Sequence, residues 1–336
     1  MVRIDKKQLA NAAKELPGAR KRPMPEFIAP QLATLIKEPL EGDEWLHELK
    51  FDGYRMLCHL NRGQVHFWSR NRKDWTEKFP NLVKAIGTFP ADSAILDGEV
   101  VIVNKAGRSS FQDLQQSMRT SGSAAFVYQI FDLVYLDGYD LTGVPLVQRK
   151  LLLEELLTSI KGKTALRYSE HVEGNGQEFF RQACAYKIEG MISKLANSTY
   201  QSTRNRNWLK VKCNKRQEFV IAGYTPSRKD FPGFGSLILG VYEKGKLIYS
   251  GRVGTGFSIK QRLELQKKLD KISQATMPFS AKPKDPGLRD AHWAKPKLVG
   301  EVEFTEWTAD GSIRHPSFQG LREDKKAADV VREEPA

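Results

Sequence analysis

The sequence predicts an α+β chain of two domains, the first built on antiparallel sheets and the second a small β-barrel. Three observations carry that expectation. At 336 residues the chain is longer than one compact core usually serves. Up to about residue 214 its apolar segments alternate between strand period and helical spacing, the texture of antiparallel sheets with covering helices. Beyond that point short strands and glycine turns take over, with a single amphipathic helix among them.

Residues 1–26 come first. They are basic, carry Pro17, Gly18, Pro23 and Pro25, and read as a loosely ordered lead-in, either an arm over a polyanion or a frayed terminus. The first domain is expected over 27–214. In it "YRMLCHL" and "QVHFWSR", joined by "NRG", have the pattern of an antiparallel hairpin. "AILDGEVVIV" and "FVYQIFDLVYL" read as buried strands ending in Asp-Gly turns, and "VQRKLLLEELLTSI" has helical apolar spacing. The second domain, 215–326, holds "EFVIAGY", "SLILGVYEKGKLIYSGRVG" and "VGEVEFTEW". Its one helix, from about Ile259 to Ile272, opens with Ser258 and Gln261 in the form of a capping box. An OB-fold is the commonest basic barrel of this kind that binds nucleic acid. A tail, 327–336, ends the chain.

The formal net charge of +13 calls for a polyanionic partner, because such an excess neutralises phosphates or an anionic surface. No uninterrupted apolar run reaches transmembrane length, so nucleic acid is expected and no membrane. Cys58, Cys184 and Cys213 are an odd, widely spaced set without a CxxC pair, for which neither a disulfide framework nor a thiolate zinc site is expected. A reducing, cytoplasmic setting fits them, and the N-terminal segment has no apolar h-region of a secretory signal.

The segment "WLHELKFDGYR" sets Lys50 between Leu49 and Phe51, with Glu48, Asp52 and Arg55 nearby. A lysine that acts as an amine nucleophile near neutral pH must lose its proton, which burial or cationic neighbours promote. The ordinary alternative is a strand-end lysine paired with Asp52. The ordered company of residues downstream favours chemistry. Arg70, in a Ser-Arg-Asn turn, suits bidentate contact with a terminal phosphate, whereas Arg72 and Lys73 beside it read as a solvated loop. Asp97 and Glu99 alternate on one strand and share a face, a costly pair unless it meets a cation or hydroxyls, so Glu99 is a candidate metal or ribose partner. Phe131 is either plain core or the ring on which a purine stacks.

Glu189 stands before a glycine at the mouth of another apolar strand. Lys210 and Lys212, at strand period, share a face and can clamp one phosphate; the competing reading is an edge strand guarded by lysines. Arg322, Asp324 and Lys325 come after the second domain's strands either as a charged tail or as a cationic group that closes on departing phosphates.

These segments resemble, in order, the motifs of the covalent nucleotidyltransferases, and specifically those of the ATP-dependent DNA ligases. The matching stretches are Lys50 to Arg55, "SRN" at Ser69, "DGE" at Asp97, "FDLVYLDG" at Phe131, "EGM" at Glu189, "WLKVK" at Trp208 and "REDK" at Arg322. Longer text, such as "GYTPSRKDFPGFGSLILGVY", is similar to the ligase module of bacterial ligase D. The resemblance implies an adenylation (nucleotidyltransferase) domain followed by an OB-fold. It also implies ATP and a divalent metal, Mg²⁺ or Mn²⁺, as cofactors and three reaction steps. In these Lys50 takes AMP from ATP, the AMP passes to a 5′-phosphate of DNA, and a 3′-hydroxyl displaces it.

By position, the resemblance implies that Glu48 reads the adenine amino group, Phe131 stacks on the base, and Arg55 and Glu99 meet the ribose. Arg70 would take the 5′-phosphate, Glu189 and Glu99 the metal, and Lys210 with Lys212 the α-phosphate. Arg322, Asp324 and Lys325 would orient pyrophosphate. The implied partner is double-stranded DNA with nicks or ends, in repair by non-homologous end joining. Contact with an end-binding protein of the Ku type is left open, and a monomer is expected. Two rivals remain: another lysine nucleotidyltransferase (an RNA ligase or a capping enzyme), and a non-catalytic OB-fold protein that binds nucleic acid.

Overall fold

In the computed structural model, which describes residues 12–103, 109, 111–119, 126–227 and 232–335, the chain divides after Cys213, and Asn214–Glu334 form a second unit. The first unit contains β1 (Arg20–Lys21), β2 (Leu32–Leu35), β3 (Trp45–Leu49), β4 (Tyr54–Asn61), β5 (Gln64–Ser69) and β6 (Ser93–Ile102). They are followed by β7 (Phe126–Leu136), β8 (Tyr139–Asp140), β9 (Leu166–Tyr168), β10 (His171–Glu173), β11 (Gly190–Leu195) and β12 (Arg204–Lys212). Four helices, α1 (Pro80–Ile86), α2 (Phe111–Arg119), α3 (Leu146–Thr158) and α4 (Gly176–Ala185), lie between them.

The larger sheet runs β1-β8-β7-β6-β4-β5, with β9 beside β7. Alternation along β4 explains its place between two packed layers. Met56 and Cys58 point into the main core, where they join Leu82 and Ile86 of α1 and Leu152, Leu153 and Leu156 of α3. Leu57 points the other way and joins Ile95, Phe131, Tyr200 and Trp208. The β4–β5 connection is the hairpin read from the sequence; Arg62 and Gly63 both take positive φ, 48° and 84°, as a two-residue hairpin turn requires.

The smaller sheet runs β10-β3-β11-β12-β2 and is antiparallel except for the parallel β12–β2 pair. One face packs Met191, Leu209 and Val211 against Phe179 and Phe180 of α4. The other carries Trp208 toward Phe131 of the larger sheet, with ring centroids 5.9 Å apart. Because β12 has neighbours on both sides, Lys210 and Lys212 do not guard a sheet edge.

The second unit contains β13 (Lys215–Pro226), β14 (Phe234–Glu243), β15 (Lys246–Val253), β16 (His292–Phe304), β17 (Glu306–Trp307), β18 (Ile313–Arg314) and β19 (Ser317–Leu321). Its sheet runs β15-β14-β13-β16-β19, antiparallel throughout, around one apolar core that includes Phe219, Ile221, Leu239 and Val302. It is the small OB-type β-domain expected to follow the first. Its helix α5 (Ile259–Asp270) starts with both bonds of the capping box: Gln261 N donates to Ser258 Oγ, and Ser258 N to Gln261 Oε1.

Three expectations are corrected. Residues 1–11 lie outside the described residues, but from Ala12 onward the basic lead-in is not loose: Ala13 is buried in the main core and β1 pairs with β8. The apolar residues Ala12, Leu16 and Ala19, interleaved with the charges, pack against that core. Asp97-Gly98 is not a turn. β6 runs through it with a register irregularity, because a Cβ on Gly98 would meet Gln129 O and the Tyr128 ring at 2.5 Å. Finally, Cys184 and Cys213 are joined in a disulfide, with Cα atoms 5.4 Å apart. The end of α4, packed on the smaller sheet, comes next to the end of β12, a proximity that spacing along the chain does not reveal. Cys58 alone is a free, buried thiol.

Candidate active site

The smaller sheet assembles the candidate residues by register. β11 is its spine: Ile192 stands opposite Glu48 of β3 on one side and Lys210 of β12 on the other, and Gly190 stands opposite Lys212. Directly opposed residues share a face, so Glu48, Lys210 and Lys212 point the same way. Lys50 extends the row, its backbone N–H donating to Gly190 O at 2.9 Å. Glycine is required at 190, since a Cβ there would lie 2.0 Å from Val211 O.

Lys50 Nζ lies 2.5 Å from Glu189 Oε2, with the two side chains 21% and 9% exposed. The amine is thus sheltered and held next to a proton acceptor. Asp52, the neighbour offered as the ordinary partner, is engaged by the start of α2: its N–H donates to Ser109 Oγ (3.0 Å) and its carboxylate accepts from Phe111 N (3.2 Å). Gly53 allows this loop to approach β6, for a Cβ would lie 2.2 Å from Val100 O and 3.1 Å from Glu99 Cγ. That contact brings Glu99 beside the Lys50 loop.

Glu48 is fully buried in a charged cluster. Its Oε1 accepts from Lys150 Nζ of α3 and Lys194 Nζ of β11, both at 2.8 Å, and its Oε2 from Ser169 Oγ at 2.8 Å. Burial pushes the carboxyl pKa up, but the two ammonium groups outweigh it and hold Glu48 below the usual carboxylate range. Desolvation dominates at Lys194 and lowers its pKa to about 8 despite the Glu48 charge. Lys194 Nζ also sits over two rings, 4.2 Å from the Phe131 centroid and 4.3 Å from that of Trp208. Phe131 is therefore plain core and platform at once.

Across the seam, Arg55 grips Asp97 bidentately, Nε to Oδ1 at 2.9 Å and Nη2 to Oδ2 at 2.5 Å, and Tyr200 Oη donates to the same carboxylate at 2.6 Å. Although burial opposes the charge, Asp97 raises the Arg55 pKa further above its ordinary value. Its guanidinium lies 5.0 Å from the Phe131 centroid. Arg55 and Glu99 are register partners on β4 and β6, and so share one face. Arg70 stands in a turn closed by Ser69, whose N–H donates to Lys73 O and whose hydroxyl accepts from Lys73 N. Arg72 makes an exposed ion pair with Glu26 at 2.5 Å.

Arg322, Asp324 and Lys325 belong to the second unit. Arg322 is bidentate on Asp324 at 2.9 Å and also reaches Glu301 at 3.0 Å; Lys325 lies 2.8 Å from Glu218. Among the described residues no group of three or more His, Cys, Asp or Glu is arranged to hold a metal. Glu99 and Glu189 are each carboxylates of the kind Mg²⁺ takes, one or two at a time, with waters and substrate phosphates completing its shell.

Residues 28–212 match the model of the ATP dependent DNA ligase domain, and 231–325 that of the ATP dependent DNA ligase C terminal region. The chain belongs to the ATP-dependent DNA ligase family. It is 38% identical over 330 residues to the multifunctional non-homologous end joining protein LigD of Pseudomonas aeruginosa, covering 97% of this chain and 39% of that one. The corresponding Mycobacterium tuberculosis protein is 36% identical over 310 residues, 91% of this chain and 40% of that one. The chain thus spans about two-fifths of the length of those relatives. Among solved structures, a mycobacterial DNA ligase D complexed with ATP and MES matches with a TM-score of 0.69 at 35% identity, covering 91% of this chain and 98% of that one.

Several members of the candidate site escape a reading of the sequence. Lys150 and Lys194, which hold Glu48, and Tyr200, which shares the Asp97 carboxylate with Arg55, lie far from their partners along the chain. Lys194 alone left a signal: it continues the period-two row of Gly190 and Ile192, which places a lysine on the inward face of a buried strand.

Proposed function

We propose that this ligase joins 5′-phosphate and 3′-hydroxyl ends of DNA through a lysyl-AMP intermediate, in repair by non-homologous end joining. The observation that carries the proposal is the sheltered Lys50 amine against Glu189, on the same sheet face as Lys210 and Lys212. With its proton passed to Glu189, the Lys50 nitrogen attacks the α-phosphorus of ATP in line. The N–P bond forms as the bond to the bridging oxygen breaks, and pyrophosphate leaves. Lys210 and Lys212 neutralise the charge that builds on the α-phosphate oxygens. Phe131 and Glu48 receive the adenine, and Arg55 and Glu99 the ribose.

A divalent ion, Mg²⁺ or Mn²⁺, held by Glu189 and Glu99 when bound, would supply further charge neutralisation to the phosphates. Arg70 takes the 5′-phosphate of the break in the second step, and Arg322, Asp324 and Lys325 act on pyrophosphate in the first. The reading extends to nicked or broken duplex DNA as substrate, in keeping with the net charge of +13, and to a bacterial cytoplasmic monomer. Co-precipitation with a Ku-type protein on DNA ends tests that partner.

The deciding experiment is incubation with ATP or GTP labelled at the α-phosphate. Wild type should take label from ATP into an acid-labile, alkali-stable adduct, and Lys50→Ala should form none. An adduct on the variant refutes the nucleophile. Labelling by GTP in preference to ATP would favour a capping enzyme.

A further inference from the structure

In the second unit, Glu218 of β13 and Glu301 of β16 are register partners. Two carboxylates directly opposite one another across an antiparallel pair repel, and a sheet retains them only where cations meet them. Three cations do. Arg216 lies 2.9 Å from Glu301, Arg322 lies 3.0 Å from the same carboxylate, and Lys325 lies 2.8 Å from Glu218. Asp324, bidentate on Arg322, completes a set of three carboxylates and three cations whose charges cancel.

The set is half-sheltered rather than solvated: Asp324 and Glu301 are buried, and the Arg322 side chain is 11% exposed. A like-charged cross-strand pair is a poor way to stabilise a sheet, since an apolar pair would serve better. It is a good way to fix two long, flexible cations that leave the end of β19 and must keep one orientation. Arg322 is held by two carboxylates from different directions, which sets both the position and the plane of its guanidinium.

We propose that Glu301 and Glu218 are positioning residues that hold Arg322 and Lys325 in the orientation in which they meet pyrophosphate. The proposal rests on the reading that Arg322 and Lys325 serve the adenylation step, and its test separates the two. In the full chain, Glu301→Gln, Arg322→Ala and the double variant are compared by the rate of self-adenylation from labelled ATP. Sealing of a pre-adenylated nick without ATP is measured beside it. Misplacing a phosphate-binding cation by about 1 Å costs on the order of 10²-fold, so Glu301→Gln should slow adenylation by roughly tenfold or more. The double variant should be no slower than Arg322→Ala alone, because Glu301 acts through Arg322.

Additive losses, or adenylation by Glu301→Gln at the wild-type rate, overturn the proposal. A sealing rate that falls with adenylation in Arg322→Ala overturns the step assignment but leaves the cycle to judge the coupling. Thermal unfolding of each variant is followed in parallel. Should Glu301→Gln fail to fold, Glu218→Gln with Lys325→Ala forms a second cycle decided by the same criterion.

Discussion

Lys194→Met is expected to stabilise the first unit, although it removes a hydrogen-bonded charge. The side chain is fully buried and its pKa is lowered to about 8, against 10.5 for the free group. That difference means that holding Lys194 charged at pH 7 costs about 3 kcal/mol, with the attraction of Glu48 already counted. Methionine is similar in length, lies well against Phe131 and Trp208, and leaves Glu48 with Lys150 and Ser169 as a balanced pair. Urea unfolding at pH 7 measures the gain, expected as a midpoint raised by about 1 M. The sign with pH is set by linkage. Between pH 8 and 10.5 the unfolded wild type holds a proton that the folded protein has lost, so wild-type stability rises with pH and the advantage of the variant closes. A lower midpoint for the variant at pH 7, or a gap that ignores pH, would refute the reasoning. The variant also removes the cation shared by Glu48 and Phe131, so its KM for ATP should rise.

Asp132→Asn should cost about 3 to 5 kcal/mol by chemical unfolding, since it leaves the guanidinium of Arg149, buried with two bonds to that carboxylate, without its counter-charge. Burial lowers the His59 pKa to about 4 from 6.5. The unfolded chain therefore takes up a proton first, and about 3 kcal/mol of stability is lost as pH falls from 6.5 to 4; His59→Phe should flatten that part of the pH profile. Joining Cys184 to Cys213, 29 residues apart, restricts the unfolded chain by about 3.5 kcal/mol, so Cys213→Ser or a reductant should lower the melting temperature of the oxidised protein, and an unchanged melting curve would show the bond to be absent.

What the sequence discloses here is local. The Arg62-Gly63 turn, the Ser258 capping box and the shared face of Lys210 and Lys212 each arise from conformations or periods that span a few residues. The supports of those residues do not. Lys150 meets Glu48 across 102 positions and Tyr200 meets Asp97 across 103, pairings that bring a helix and a loop against strands far away along the chain. A lysine or arginine in an otherwise apolar helix, such as Arg149 and Lys150 in α3, looks like the wet side of an amphipathic element, yet both are fully buried. Asp97-Gly98 misleads for a related reason: the dipeptide has turn chemistry, but Tyr128 and the backbone of β7 occupy the space a side chain would need. The cysteine pair was invisible because strand order, and not separation along the chain, sets which ends are adjacent.

The two sheets of the first unit are unequally supported. Lys210 and Lys212 lie on the smaller one, with Lys50 and Glu189 at the ends of its β3 and β11; its outer face rests on the cluster of Ile36, Met191, Leu209 and Val211, whereas the larger sheet is anchored in an extensive core shared with three helices. Opening of the weaker layer would then unseat Lys50, the proposed nucleophile, while most of the domain stayed folded. Warming should silence adenylation some degrees before the bulk of the backbone amides exchange, and thermal inactivation would report a local event in place of global unfolding.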